Sequence, residues 1–264
     1  MISRLRIAFP ALLLLAAAAF AADDIKPEAI LDKYVEVTGG RAAYEKIQTE
    51  IATGTLELTG MGLSGTLTSY RAAPDKSYTV IDFAGVGKAE QGSNGEVAWS
   101  INAQEGARIK QGDERATALR SDAMHAEIRW RDFYKKTELA GTEDVGGKAC
   151  YKIVLTPKEG GAETRYYDKS SNLLVKVVLP VTTPQGAMTV EQNFSDYRDE
   201  GGILVPHTLM QKIPNVDILV KIESIKRNAE IPAGRFDLPA EIKALMTDKK
   251  ADEKKTDDKK TEKQ

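Results

Sequence analysis

The chain carries one cysteine and two histidines in 264 residues, and that scarcity excludes much chemistry. Cys150 alone cannot close an internal disulfide, so stability has to come from a packed core. A zinc site takes three or four Cys, His or carboxylate ligands, which His125, His207 and Cys150, far apart in sequence, do not supply. No cofactor motif takes its place, because Gly85-Val86-Gly87 lacks the spacing and the Lys-Ser/Thr of a phosphate loop. Aromatic residues make up only 6% of the chain and no basic groove is interleaved with them, so nucleic acid is not an expected partner. After residue 21 no apolar run reaches the ~20 residues of a membrane span.

What the chain does have begins with a secretory signal over Met1–Ala21. Arg4 and Arg6 start it, Leu12 to Ala19 form the apolar stretch, and Ala19-Phe20-Ala21 gives the small-x-small cleavage pattern. Polar Asp23-Asp24 follows at once, and no cysteine follows the cleavage point, so no lipid anchor is expected. Removing Arg4 and Arg6 from 37 basic residues leaves 35 against 39 acidic ones. The exported protein is expected to be soluble, mildly acidic and periplasmic. At the other end, Thr247 to Gln264 is Lys, Asp, Glu and Thr without apolar periodicity, the composition of a disordered charged tail. Residues 22–246 remain for one β-rich domain, and single domains of about 200–250 residues are ordinary for such folds.

Within that domain the dominant signal is a period of two. Leu56 and Leu58 alternate with Thr55 and Glu57; Met188, Val190 and Phe194 with Thr189, Glu191 and Asn193; Ile218, Val220 and Ile222 with Leu219, Lys221 and Glu223. This is antiparallel sheet with one apolar face. Strands are expected at Thr49–Leu58, Leu63–Arg71, Lys76–Phe83, Lys88–Gln91 and Glu96–Ile101. A second run covers Tyr134–Glu143, Ala149–Thr156, Glu163–Tyr167, Leu173–Leu179, Ala187–Arg198, Leu204–Lys212 and Asp217–Lys226. Asn94-Gly95 is a hairpin signal. Lys26 to Thr38 reads as a helix, with Pro27 in its first turn, an apolar stripe of Ile30, Leu31, Tyr34 and Val35, and Gly39-Gly40 as its stop. A shorter helical piece, Arg41 to Ile47, follows. Ala116, Leu119, Ala123, Ala126 and Trp130 recur at helical spacing, so Gly112 to Phe133 is expected as one covering helix. Asp237 to Leu245 is expected as a short last helix.

No catalytic constellation interrupts this pattern. His125 falls in the covering helix and His207 follows Pro206 at the start of a strand, neither with a nucleophile and an orienting group in view. Cys150 reads as a small core residue. The pairs Asp196/Asp199 and Glu143/Asp144 fall at strand ends and turns, where solvated carboxylates belong. The expectation is a protein that is not an enzyme. Its candidate ligand-binding residues are the apolar side chains that alternation can bring to one concave side: Leu67, Val80, Trp99, Tyr151, Ile153, Val175, Val177, Met188, Val190, Phe194, Val220 and Ile222. An ordinary core beneath the helical segments is one reading of these residues. The other is a lipophilic cavity, since there are many strands for two or three helices to cover and Met188 and the aromatics suit an adaptable apolar surface.

Several segments are familiar. Asp196-Tyr197-Arg198-Asp199-Glu200-Gly201-Gly202-Ile203-Leu204-Val205-Pro206-His207 resembles a segment of the LolA-like outer-membrane lipoprotein-sorting proteins. In order along the chain, so do the strand Gly65 to Arg71, the hairpin Ser93-Asn94-Gly95-Glu96-Val97-Ala98-Trp99, the turn Tyr167-Asp168-Lys169-Ser170-Ser171-Asn172-Leu173-Leu174 and the closing Phe236-Asp237-Leu238-Pro239. The resemblance implies an α+β, mainly antiparallel β fold. It would be a curved half-open β-barrel whose N-terminal and mid-chain helices cover the concave face.

It also implies a periplasmic carrier of lipid or of acylated protein, with an inner-membrane exporter and an outer-membrane receptor as partners. A basic residue early in the family's sheet helps hold the lid. Arg71 stands at that place, in Arg71-Ala72-Ala73-Pro74 where the family has Arg-Pro, and Leu119, Ala123 and Trp130 stand in the lid. Relatives of this fold also include envelope sensors, so a protein-interaction domain with a filled core and no lipid cargo is the alternative. A hydrolase is the third reading, and it requires His125 or His207 beside a Ser or carboxylate in a pocket.

Overall fold

The computed structural model describes residues 25–183, 186–214 and 216–247. The expected signal segment and all of the expected tail after residue 247 lie outside the described residues.

Two meanders make the fold. The first comprises β1 (Thr49–Thr59), β2 (Leu63–Ala72), β3 (Lys76–Phe83), β4 (Gly87–Ser93), β5 (Ala98–Asn102) and β6 (Gly106–Ile109). The second comprises β7 (Tyr134–Val145), β8 (Lys148–Pro157), β9 (Glu163–Asp168), β10 (Leu174–Thr183), β11 (Gly186–Asp199), β12 (Leu204–Ile213) and β13 (Val216–Arg227). First and last strands pair, giving one 13-stranded antiparallel sheet in the order β6-β5-β4-β3-β2-β1-β13-β12-β11-β10-β9-β8-β7. The edges β6 and β7 do not meet, so the barrel is half open, as expected. The four-residue β6 escaped the sequence reading, being too short to show alternation.

α1 (Pro27–Val37) buries Ile30, Leu31, Tyr34 and Val35. Its C-terminus turns through Gly39, where a Cβ would lie 2.3 Å from the Gly202 carbonyl oxygen. Only glycine lets the two backbones come that close. α2 is confined to Arg41–Tyr44, shorter than expected.

The covering helix is broken. α3 spans Gly112–Asp122 and α4 only Trp130–Phe133. Ala123 adopts extended backbone at ψ 129° and His125 a left-handed φ of 61°, so residues 123–129 form a turn in which the helical ladder cannot continue. The last helical stretch is shifted to residues 240–247. Leu238 precedes Pro239, which disfavours helical backbone there.

Residues paired across an antiparallel ladder point to the same side, so the register assigns every strand residue to a face. Val220 is opposite Leu56 and Leu209, Ile222 is opposite Gly54, and Gly54 is opposite Leu67. All of these face the concave side. Tyr151, Ile153, Val177, Met188, Val190 and Phe194 join the main core there, with Ile30, Leu31, Tyr34 and Trp130 from the helices.

Three expected concave residues do not. Val80 pairs with Thr68 and Glu90, and Trp99 with Gly92, which puts both on the convex side. There Trp99 stacks near Tyr78, and Arg235 lies over Tyr78 and Tyr70. Val175 sits at a bulge between Leu174 and Lys176 and packs with Cys150 and Tyr166 in a separate cluster. Alternation within one strand tells two faces apart but not which is concave, and a bulge resets the phase.

Candidate binding cavity under the mid-chain lid

α3 packs on β4 and β5 from the first meander and on β10 from the second, so it bridges the trough of the sheet. Polar contacts tie this lid down. Ser77 Oγ donates to Asp122 at 2.9 Å, and the Met124 amide to the Pro74 carbonyl at 3.1 Å. Arg41 donates to the Ile128 carbonyl at 2.7 Å, and Arg129 pairs with Asp75 at 2.6 Å. Of the expected lid residues, Ala123 is buried, while Leu119 is half-buried beside Phe133 in a surface pocket.

Trp130 is wedged into the main core against α1. Its Nε1 donates to Asp32 at 3.1 Å, and the Arg131 guanidinium lies 3.9 Å over its ring while pairing with Asp32. The Arg131 hydrogen bond holds the Asp32 carboxyl below its usual range, although burial pulls the other way.

Beneath the lid lies a cavity of 230 Å³. Leu174, Val177, Leu179, Phe194, Tyr34 and Tyr197 line one part of it; Arg120, Glu127, Tyr134, Glu163 and Arg165 line the other. The polar part is a connected cluster. Arg165 Nε donates to Glu163 Oε1 at 2.7 Å, and its Nη2 to the Tyr134 hydroxyl at 2.7 Å. Tyr134 in turn donates to Glu163 at 2.7 Å, and Arg120 approaches the second Glu163 oxygen at 3.6 Å. Burial raises the Glu163 pKa, but Arg165, the Tyr134 hydrogen bond and Arg120 together outweigh it and leave the carboxyl below its usual value.

A second cavity of 110 Å³ adjoins it, sharing Tyr34, Glu127 and Pro206. Arg71 lines this one, facing Met124, His125 and Glu127 of the lid turn and neighbouring Glu50 and Arg227. Glu50 pairs with Arg227 at 3.3 Å. The roof stops short of the middle of the sheet, where Leu67, Val220 and Ile222 remain half-exposed beside Leu58, Leu209 and Ile218. An apolar strip through Val220, Leu209 and Phe194 therefore links the open centre of the concave side to the part roofed at the second meander.

The remaining polar residues singled out from the sequence are placed as follows. His125 lines the smaller cavity, its Nε2 2.7 Å from the Ile47 carbonyl. His207 is 2% exposed, with Nδ1 2.9 Å from the Ile222 carbonyl and Nε2 3.0 Å from Glu200, and it lines neither cavity. Cys150 is fully buried, and burial together with Asp168 pushes its thiol pKa up, away from the reactive thiolate. Among the described residues no three His, Cys, Asp or Glu converge as metal ligands, and no helix is long and apolar enough to cross a membrane.

The sequence reading missed the charged cluster. Only the register reveals it: Glu163 pairs with Leu155, and Arg165 with Ile153 and Val177, so both charges fall on the apolar concave face.

The lid ties make a measurable prediction. Arg129→Ala removes the Asp75 pair and the stacking on Phe133 at 5.2 Å. Amide exchange across residues 123–129 should accelerate about tenfold, since local opening costs scale with such partly buried contacts. Unchanged exchange there would show that the Arg129 contacts do not hold the turn.

No protein-family profile matches the sequence, and no curated protein sequence matches it either. Solved structures do match. A LolA superfamily protein from Nitrosomonas europaea aligns with TM-score 0.56 at 11% identity, over 81% of this chain and 98% of the other. A DUF1329 family protein from Desulfovibrio piger aligns with TM-score 0.53 at 19% identity, over 81% and 98%. A domain from Vibrio parahaemolyticus, described as an outer membrane lipoprotein-sorting protein, aligns with TM-score 0.52 at 14% identity, over 78% and 97%. By its architecture, this chain has the LolA-like fold.

Proposed function

We propose that the protein is a non-enzymatic carrier that holds the acyl part of a lipid or acylated protein on its concave face and works in the periplasm. One observation carries this reading: an apolar strip, half-exposed at Leu67, Val220 and Ile222, runs without interruption into the cavity under a polar-tethered lid. Each acyl methylene taken out of water contributes roughly 0.8 kcal/mol, so a chain of ordinary length binds without any reactive group. The lid is held by hydrogen bonds and ion pairs at its turn, contacts that water can replace when it opens.

The likeness to a lipoprotein-sorting domain supports the same class of cargo. A role in sorting to the outer membrane, with an exporter that loads the carrier and a receptor that unloads it, is the finer form of this proposal. The signal-like residues 1–21 support the periplasmic location.

The experiment is native mass spectrometry of protein purified from its own envelope, with titration of a fluorescent fatty-acid probe. Val220→Asp places a charge in the middle of the strip at a half-exposed position. It should weaken the probe by more than about tenfold, because a buried charge facing an acyl chain is unanswered, while leaving the melting temperature within a few degrees. An empty mass before and after adding lipid, with no probe binding, sinks the carrier reading and turns attention to protein partners.

A further inference from the structure

The wall of the larger cavity is not what an acyl chain alone requires. Glu127 lines both cavities, and among the described residues its carboxylate has no hydrogen bond and no ion pair. Tyr34 lines both cavities with it, Tyr44 the smaller one, and Tyr134 and Tyr197 the larger. A carboxylate sharing a cavity wall with tyrosine rings is the chemistry that accepts an ammonium group, through charge and through the ring faces.

On the same wall, Arg120 and Arg165 share the single carboxylate of Glu163. Two guanidiniums on one carboxylate leave that end of the cavity net positive. A purely apolar occupant would desolvate all these groups and answer none of them.

The geometry points to recognition of a zwitterionic lipid head, its ammonium at Glu127 and its phosphate toward Arg120 and Arg165. Size agrees: 230 Å³ is below the roughly 300–1,000 Å³ typical of pockets that enclose a whole drug-sized ligand. The cavity holds a head group and the first carbons. The chains lie along the open strip at Leu67, Val220 and Ile222. This inference rests on the carrier reading and narrows its cargo to an amino-phospholipid or a molecule with the same head.

Displacement of the fatty-acid probe by three short-chain lipids with identical diheptanoyl chains tests it: phosphatidylethanolamine, phosphatidylglycerol and the diacylglycerol. The ethanolamine lipid should compete at least about tenfold more tightly than either of the others, the usual scale for one charge-assisted contact. Glu127→Gln should abolish that preference without weakening the diacylglycerol, and Glu127→Asp, which keeps the charge, should retain part of it. If all three lipids compete equally in the wild-type protein, or if E127Q weakens all three alike, the head is not read and the inference falls while the carrier reading stands. If neither probe nor lipid binds, both fall together. The wild-type comparison decides even if a variant does not fold.

Discussion

Glu163→Gln should destabilise the protein by about 3 kcal/mol, because it strands two guanidiniums that share one carboxylate in a largely buried site. The side chains of Glu163, Arg120 and Arg165 are 6%, 9% and 19% exposed, so water cannot take over the role of the lost charge. Glutamine keeps the shape and one acceptor for the Tyr134 hydroxyl, so the loss isolates the charge rather than the packing. Urea unfolding of wild type and variant gives the number directly.

The cluster also has a pH signature. The folded-state pKa of Glu163 lies below the usual value of 4.5. A depressed carboxyl contributes stability that is present above its unfolded pKa and lost as pH falls through the folded one. The wild type should therefore lose stability on acidification below about pH 4.5, and E163Q should lose less over that window. Replacing all three charges by apolar residues, as in Arg120→Met with Glu163→Leu and Arg165→Met, should cost far less than E163Q alone, since removing a buried network removes its desolvation penalty too. A loss of under about 0.5 kcal/mol for E163Q, the range of surface substitutions, would show the cluster to be solvated in solution.

The second large effect is at the seam between the two meanders. Gly54→Val should cost about 3 kcal/mol or more, or prevent folding, by the strain of an unrelieved backbone clash. Among the described residues the β1–β13 pair joins the two meanders in the sheet order, and it carries a bulge: Thr53 is opposite Ser224 while Gly54 is opposite Ile222, leaving Glu223 as the extra residue. There a Cβ on residue 54 would lie 2.1 Å from the Lys221 carbonyl oxygen. Both atoms belong to backbone held by the ladder, so neither can move without breaking sheet hydrogen bonds. The readout is thermal unfolding followed by amide exchange in β1 and β13. A variant with wild-type stability would mean that the bulge relaxes freely, and that the seam is not where the halves are locked together.

The proposed carrier function depends on this seam because the open part of the apolar strip lies across it. Leu67 belongs to β2, Val220 and Ile222 to β13, and Phe194 to β11. A bulge increases local twist, and twist at the seam brings these strands around one trough. The lid then spans from β4 and β5 to β10, a reach that a flat sheet would not allow.

Much of this was legible in the chain itself. Alternation over Leu56–Leu58, Met188–Phe194 and Ile218–Ile222 determined antiparallel strands, and β3 falls at Lys76–Phe83, where the pattern places it. The stripe Ile30, Leu31, Tyr34 and Val35 determined both α1 and its buried face. These are local properties: a side chain's periodicity is set by its own backbone. The tertiary structure decided what depends on neighbours far along the chain. Register alone separated Leu67 from Val80 and Trp99, and a bulge turned Val175 away from Val177. A left-handed His125 broke the covering helix in two. Pairing across strands set Glu163 and Arg165 opposite Leu155, Ile153 and Val177, gathering charge under a lid where the sequence offered only apolar alternation. Periodicity fixes which residues share a face; only long-range pairing determines which face is inside and which charges meet there.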